Sequence, residues 1–260
     1  MRPTLTEIPI VLTAFGTTAK AFSTYEQMDA VFEERFPHHR IHWAYSSRMV
    51  CHAVNTKKKR NLKDPLEMLE TLAGKGCPWV VIQSLHLTCG HEFDRLVAHQ
   101  GAADIRSSIG LPLFTSHSDY EKVSKALTPI LPDDTDRAVV LVGHGTDHPA
   151  WTAYPAFEAV MRQVHGNRIF VGVVEDFPDM DYTLSRIKQA GYKKVCLAPL
   201  MLVAGVHFKE DLTEDDDSWK KTFEKNDIHV TVVDQGIGRL DAVTHIFCDH
   251  IADALDVIPV

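Results

Sequence analysis

Short apolar runs that alternate with stretches of helical periodicity constrain the fold of this chain more than any other feature. The runs are rich in Val, Ile and Leu, and several are apolar on both faces, as strands buried in a parallel sheet require. This alternation predicts βαβ units, in which helices cover both faces of parallel sheets. The predicted strands are 8–14, 79–87, 138–142, 169–174, 195–202 and 228–233, and the predicted helices are 24–35, 65–74, 120–130, 153–164, 180–190 and 239–255.

The two halves of the chain resemble each other in their strands and in the turns that follow. Residues 80–93 align without gaps with residues 195–208. A second alignment, around the first strand of each half, sets Phe15 opposite His144. Chance similarity between strand and loop segments of like composition is the alternative explanation.

We therefore predict an α/β fold of two similar Rossmann-like halves, with parallel sheets flanked by helices. The N-terminal half is 1–135 and the C-terminal half is 136–260, because the polar segment 131–137 contains a proline and precedes a new strand. The last helix either belongs to the C-terminal half or packs back on the N-terminal half. Because open α/β sheets bind ligands at the carboxyl ends of their strands, we expect the active site in a cleft between the halves.

Charge and composition exclude several classes of function. The formal net charge of −8 argues against a protein that binds nucleic acid by neutralising phosphates. No apolar stretch approaches the roughly 18 residues of a membrane helix. The five cysteines are widely spread and contain no C-x-x-C pair, so neither a disulfide framework nor a thiolate zinc site is expected. We expect a cytoplasmic protein with neither nucleic acid nor membrane as a partner.

Several motifs of well-known enzymes are absent. The turn at 15–18 has neither a Walker lysine nor a G-x-G-x-x-G pattern, so neither ATP nor NAD is indicated as a cofactor. The sequence that begins at His91 lacks the second histidine of a zincin helix, and no G-x-S-x-G elbow occurs. The acidic run 214–217 is interpreted as a solvated loop, with cation attraction as the alternative.

Three polar side chains follow predicted strands of the C-terminal half. His144 lies between two glycines after one strand, Glu175 ends the next, and His207 follows a glycine turn after a third. Taken singly, each has an ordinary alternative, either a hydrogen-bonded loop residue or a helix cap. Together, a His/His/Glu set leaves open positions on a divalent transition metal, as a catalytic site requires.

The order of motifs resembles that of the sirohydrochlorin cobaltochelatases, the anaerobic cobalt chelatases of the cobalamin pathway. These enzymes belong to the class II chelatases, together with ferrochelatase. The similarity runs from about Pro9 to Leu255, and its most specific part is Pro-Leu-Met-Leu-Val-Ala-Gly at 199–205 with the histidine that follows. The matching motifs are 14–17, 83–86, 143–145, 174–175, 199–207 and 216–219.

The resemblance implies that Co²⁺ is inserted into sirohydrochlorin, or into precorrin-2, without ATP. The family's metal ligands fall on His144, Glu175 and His207, and its glutamate in the first half falls on Glu92. His144, His207 and Glu92 are thus the expected catalytic residues, with Glu92 and a free imidazole accepting protons. Residues expected to contact the tetrapyrrole are Phe15, Thr17, Leu85, His86, Leu200 and Met201, although the four apolar ones could equally belong to the core.

Two alternatives remain open at the level of sequence. Imidazole and carboxylate also suit Fe²⁺, Ni²⁺ and Zn²⁺, so the protein could instead insert iron on the route to sirohaem. A rival from another class is a non-catalytic metal or haem carrier that uses some of the 15 histidines. Apart from the substrate ion, no cofactor is expected, and a homo-oligomer is left open.

Overall fold

The computed structural model describes residues 8–17, 22–58, 61–205 and 210–259. The chain divides into two compact units, one made of Met1–Thr115 with Thr244–Val260 and the other of Ser116–Val243. The sequence-based border between residues 135 and 136, as a boundary between independent halves, stays a prediction. In the described part of the chain, no helix is both long enough and apolar enough to span a membrane.

The first unit contains a parallel sheet of four strands in the order β2-β1-β3-β4. Its core packs the inner faces of these strands against apolar side chains of its helices, among them Leu69 and Leu96. Asp64 caps one of these helices and forms a capping box with Glu67, which explains why that helix begins at Pro65. The elements are β1 (Ile10–Ala14), α1 (Phe22–Arg35), β2 (Ile41–Tyr45), α2 (Arg48–Lys58), α3 (Pro65–Gly74), β3 (Trp79–Ser84), α4 (His91–Gln100) and β4 (Arg106–Gly110).

The second unit contains another parallel sheet of four strands, in the order β6-β5-β7-β8. Gly172 lets the Trp219 ring lie directly on the sheet, because a Cβ atom at Gly172 would lie 2.4 Å from that ring. The elements are α5 (His117–Leu127), β5 (Ala138–Gly145), α6 (Ala153–His165), β6 (Ile169–Glu175), α7 (Met180–Gln189), β7 (Lys194–Pro199), α8 (Trp219–Glu224) and β8 (His229–Val232), with α9 (Asp241–Asp256) starting in this unit and continuing in the first.

The two sheets repeat one topology, which confirms the predicted fold class. In each sheet the first strand along the chain pairs in parallel with the second and the third, and the third pairs with the fourth. The sequence alignment matched β1 with β5 and β3 with β7, and these strands occupy the same places in their sheets.

Sequence periodicity missed the strands β2 and β4 and the helices α2, α4 and α8. Both strands lie at the edges of the first sheet, where one side of the backbone has no strand partner among the described residues. Edge strands tolerate polar residues, and the β4 sequence Arg-Ser-Ser-Ile-Gly and the histidine in β2 break the apolar pattern. The missed helices are short or rich in polar residues, so their apolar stripe is narrow.

Candidate metal centre

His144 is placed at the carboxyl edge of the second sheet by the strand that precedes it. Residues 138–143 of β5 are buried, and His144 is the first side chain of that strand to be exposed. Glu175 is the last residue of the neighbouring strand β6 and stands opposite Gly145 in the register of the two strands. Parallel strands therefore bring an imidazole and a carboxylate to one edge, as the sequence predicted.

The pair is close and open to solvent. His144 Nδ1 lies 3.8 Å from Glu175 Oε2, and the two side chains are 65% and 63% exposed. His144 Nδ1 also lies 3.4 Å from the carbonyl oxygen of Gly145, a long and weak contact. Among the described residues, neither side chain takes part in a buried hydrogen-bond network, so both can turn toward a bound ion.

Gly145 is the residue that permits this close approach. Its φ is 94°, a conformation that side chains with a Cβ atom rarely adopt. A Cβ atom at this position would lie 1.8 Å from the carbonyl oxygen of Glu175. A glycine is therefore required for both the conformation and the spacing of the two strand ends.

Tyr154 on α6 supports the turn from the side of the helix. The Gly145 amide donates a hydrogen bond of 3.2 Å to the Tyr154 hydroxyl, and a Cβ atom at Gly143 would lie 2.4 Å from the Tyr154 ring. Burial raises the pKa of Tyr154, so its hydroxyl stays protonated at neutral pH. Sequence reasoning missed this residue.

The first unit repeats this arrangement, and that repeat is a signal that could have found Tyr154. The amide of Gly16 donates to the hydroxyl of Tyr25 at 3.3 Å, and the φ of Gly16 is 101°. Each tyrosine lies nine residues after its glycine. The two halves thus build the same turn at the end of their first strand, with Phe15 in one and His144 in the other.

The third predicted ligand, His207, lies outside the described residues, as does the segment 206–209. Within the described part of the chain, no group of three or more His, Cys, Asp or Glu side chains is arranged to hold a metal ion. The structure thus brings together two members of the predicted set, and the role of His207 stays a prediction.

In the first unit, His86 lies in the loop after strand β3, and Glu92 lies in the first turn of helix α4. Glu92 Oε1 pairs with Arg95 at 2.9 Å, and His86 Nδ1 lies 2.9 Å from the Ser84 hydroxyl. Glu92 Oε2 and His86 Nε2 are buried and have no hydrogen-bond partner among the described residues. Burial lowers the pKa of His86 to about 4, opposed by the attraction of Glu92. At neutral pH, the His86 imidazole is therefore uncharged, and its Nε2 atom has no hydrogen-bond partner among the described residues.

The residues expected to contact a ring divide into exposed and buried ones. Phe15 is exposed and Met201 partly exposed, whereas Thr17, Leu85 and Leu200 are buried. The amides of Leu85 and Leu200 each extend a sheet by one hydrogen bond of 2.8 Å, to Thr13 and Val142 respectively. As described, these two leucine side chains belong to the interior of their units, and their contact with a ring stays a prediction.

Comparisons with known proteins agree with this architecture. A family model described as cobalt chelatase (CbiK) matches residues 9–256. The sirohydrochlorin cobaltochelatase of Salmonella typhimurium is 34% identical over 221 residues, which cover 82% of this chain and 83% of that protein. The sirohydrochlorin cobaltochelatase CbiKC of Nitratidesulfovibrio vulgaris is 31% identical, covering 98% of this chain and 93% of that protein.

A solved structure shows the same fold at lower sequence identity. The sirohydrochlorin chelatase SirB from Bacillus subtilis subspecies spizizenii, in complex with cobalt, superimposes with a TM-score of 0.65. It covers 96% of each chain at 16% identity. This likeness concerns the fold alone.

Proposed function

The chain belongs to the cobalt chelatase (CbiK) family, and from that premise we propose that it inserts Co²⁺ into sirohydrochlorin to give cobalt-sirohydrochlorin. The observation that carries the proposal is the family match over residues 9–256, within which His144 and Glu175 form an exposed pair. Both relatives named above are sirohydrochlorin cobaltochelatases.

His144, Glu175 and His207 hold the ion in this proposal. A neutral imidazole and a carboxylate are borderline donors that suit Co²⁺ as well as Fe²⁺, Ni²⁺ and Zn²⁺. Three protein ligands leave coordination positions open for the nitrogens of an incoming ring. Since the donor set does not choose among these ions, the other three are expected to substitute to some extent.

The transfer of the ion needs no ATP in this scheme. The tetrapyrrole offers four nitrogens in one plane, which is a better final site than three side chains. His144 and Glu175 are both exposed, which supports this step, because the ion can leave them without any rearrangement of the core.

Two protons must leave the ring for each ion inserted, because two of its four nitrogens begin as N–H groups. Glu92 and His86 are the proposed acceptors on the first unit. Burial lowers the pKa of His86 to about 4, so the imidazole is unprotonated at neutral pH and, as a weak base, would hold a proton only in passing. The unpartnered atoms Glu92 Oε2 and His86 Nε2 are where a proton can be received.

The proposal is tested by following the absorption of sirohydrochlorin under anaerobic conditions, with Co²⁺ and Fe²⁺ in parallel. We expect faster insertion of Co²⁺. His144→Ala and Glu175→Gln should each lower the Co²⁺ insertion rate by about 100-fold or more, since each removes a ligand.

Matched controls separate this effect from a general loss of charge or histidine. Glu121→Gln changes an exposed carboxylate on α5, and His229→Ala removes an exposed histidine at the amino end of β8. Both should insert Co²⁺ at the wild-type rate.

Failure of the wild-type protein with both metals would reject the chelatase assignment, and tight binding without turnover would favour a carrier. Preference for Fe²⁺ would instead assign the protein to the route to sirohaem.

A further inference from the structure

Three aromatic side chains of the second unit lie against one another on its surface. The rings of Trp151 and Phe177 meet edge to face at 5.8 Å, and those of Phe177 and Tyr182 lie 4.8 Å apart. Despite these contacts, the three residues remain 37%, 42% and 43% exposed. We call these three residues the aromatic patch.

The patch is a local concentration of exposed apolar surface. Among the described residues of the second unit, the large hydrophobic residues that are exposed are Trp151, Val164, Phe177 and Tyr182. Three of these four residues are in the patch. Because scattered single apolar residues are the rule on protein surfaces, such a cluster points to a ligand.

The patch adjoins the His144–Glu175 pair along the chain and in the topology. Phe177 lies two residues after Glu175, and the turn between them is closed by a hydrogen bond of 2.8 Å from the Val173 amide to the Pro178 carbonyl. Trp151 lies in the short 3₁₀ helix that follows the loop after His144. Trp151 and Phe177 therefore lie in the segments that follow the carboxyl ends of strands β5 and β6, respectively.

The Tyr182 ring is held in place by its helix and by a neighbouring arginine, and Phe177 packs on it. Tyr182 lies in the first turn of α7, which Asp179 caps by accepting the Tyr182 amide at 2.7 Å. The Arg186 guanidinium lies 5.3 Å from the centre of the Tyr182 ring and is itself hydrogen-bonded to Glu158. A ligand that meets this surface finds it already formed, which lowers the entropic cost of binding.

We propose that the aromatic patch binds the tetrapyrrole substrate by contact with the flat conjugated ring. The inference rests on the proposed function and adds a binding surface to it. The occupant follows from position and chemistry, because the patch continues the edge that carries the metal pair and its rings are suited to stacking or edge contact with a flat π system. The carboxylates of the substrate lie around the rim of the ring and leave its faces apolar.

The test measures the dissociation constant of metal-free sirohydrochlorin for the full chain, by quenching of tryptophan fluorescence and by ring absorption. Trp151→Leu, Phe177→Leu and Tyr182→Leu keep apolar volume but remove a flat face. Each should weaken binding about threefold to tenfold, the range of an aromatic contact. Trp151→Phe restores a flat ring and should bind within about twofold of wild type, as judged by ring absorption.

The matched control is Val164→Ala, which removes the exposed apolar residue outside the patch and should not change the dissociation constant. Co²⁺ binding should also be unchanged in every patch variant.

If the leucine variants bind sirohydrochlorin as wild type does while wild type inserts Co²⁺, the patch inference is wrong and the proposed function stands. If they instead convert a dimer to a monomer without affecting the dissociation constant, the patch is a contact between copies. If wild type neither binds nor metallates the ring, the proposed function fails as well.

Discussion

Replacing Gly145 by alanine tests how the turn after β5 positions the metal ligands. Two costs arise at this position. The first is conformational, since a side chain at a φ of 94° costs about 1–2 kcal/mol. The second is steric, since the new Cβ atom would lie 1.8 Å from the Glu175 carbonyl oxygen, whereas real Cβ atoms essentially never come under 3.0 Å.

The steric cost must be met by movement of one strand end by about 1 Å, and overpacking of this kind costs about 1–3 kcal/mol. The Gly145→Ala variant should thus lose about 2–5 kcal/mol of unfolding free energy. Because a displacement of about 1 Å at a reacting site can cost a factor of about 100, its rate of Co²⁺ insertion should fall at least tenfold.

Gly166→Ala supplies the matched control. Gly166 has a φ of 79°, and a Cβ atom there would meet no atom within 4 Å. With ψ at 178°, this variant carries only the conformational cost of a region that glycine alone adopts readily, so it should lose about 1–3 kcal/mol and insert Co²⁺ at the wild-type rate. Urea unfolding gives the two free energies, and insertion is measured where both variants are folded. Equal losses of stability together with equal insertion rates would refute the argument that Gly145 sets the spacing of the two strand ends.

Two further predictions concern buried groups. Because the pKa of His86 is lowered to about 4 in the folded protein, the unfolded chain binds more protons between about pH 6.5 and pH 4, so stability is lost as the pH falls through this window. Between pH 7 and pH 5 the wild type should lose about 2 kcal/mol more than His86→Gln in urea unfolding, and parallel curves would contradict this. Tyr154→Phe leaves the Gly145 amide without its acceptor, which should cost about 1–2 kcal/mol, and a thermal unfolding midpoint equal to wild type would show that the bond contributes nothing.

Much of the fold was predictable because its physical cause acts locally. Strands buried on both faces are mostly apolar, which marks β1, β3, β5 and β7 in the sequence despite the buried Thr13, Gln83 and Ser84. The edge strand β4 carries two serines, so its pairing with β3 could be known only from the folded sheet.

The site shows the same division between local and tertiary causes. Parallel strands end at one edge of their sheet, so His144 and Glu175 could be placed together from sequence. The contact between Trp151 and Phe177 joins segments that follow different strands, and no periodicity reports it. Leu85 and Leu200 directly follow β3 and β7, and the sequence alone left open whether their side chains contact a ring or turn inward, as they do in the structure.

A crystal of the protein soaked with Co²⁺ and measured at the cobalt absorption edge would show which side chains hold the ion. We expect one strong anomalous peak bonded to nitrogen atoms of His144 and His207 and to a carboxylate oxygen of Glu175, at about 2.0–2.2 Å from each. An ion bound to side chains elsewhere in the protein would contradict this expectation. So would an ion bound at this edge with none of these three residues as a ligand.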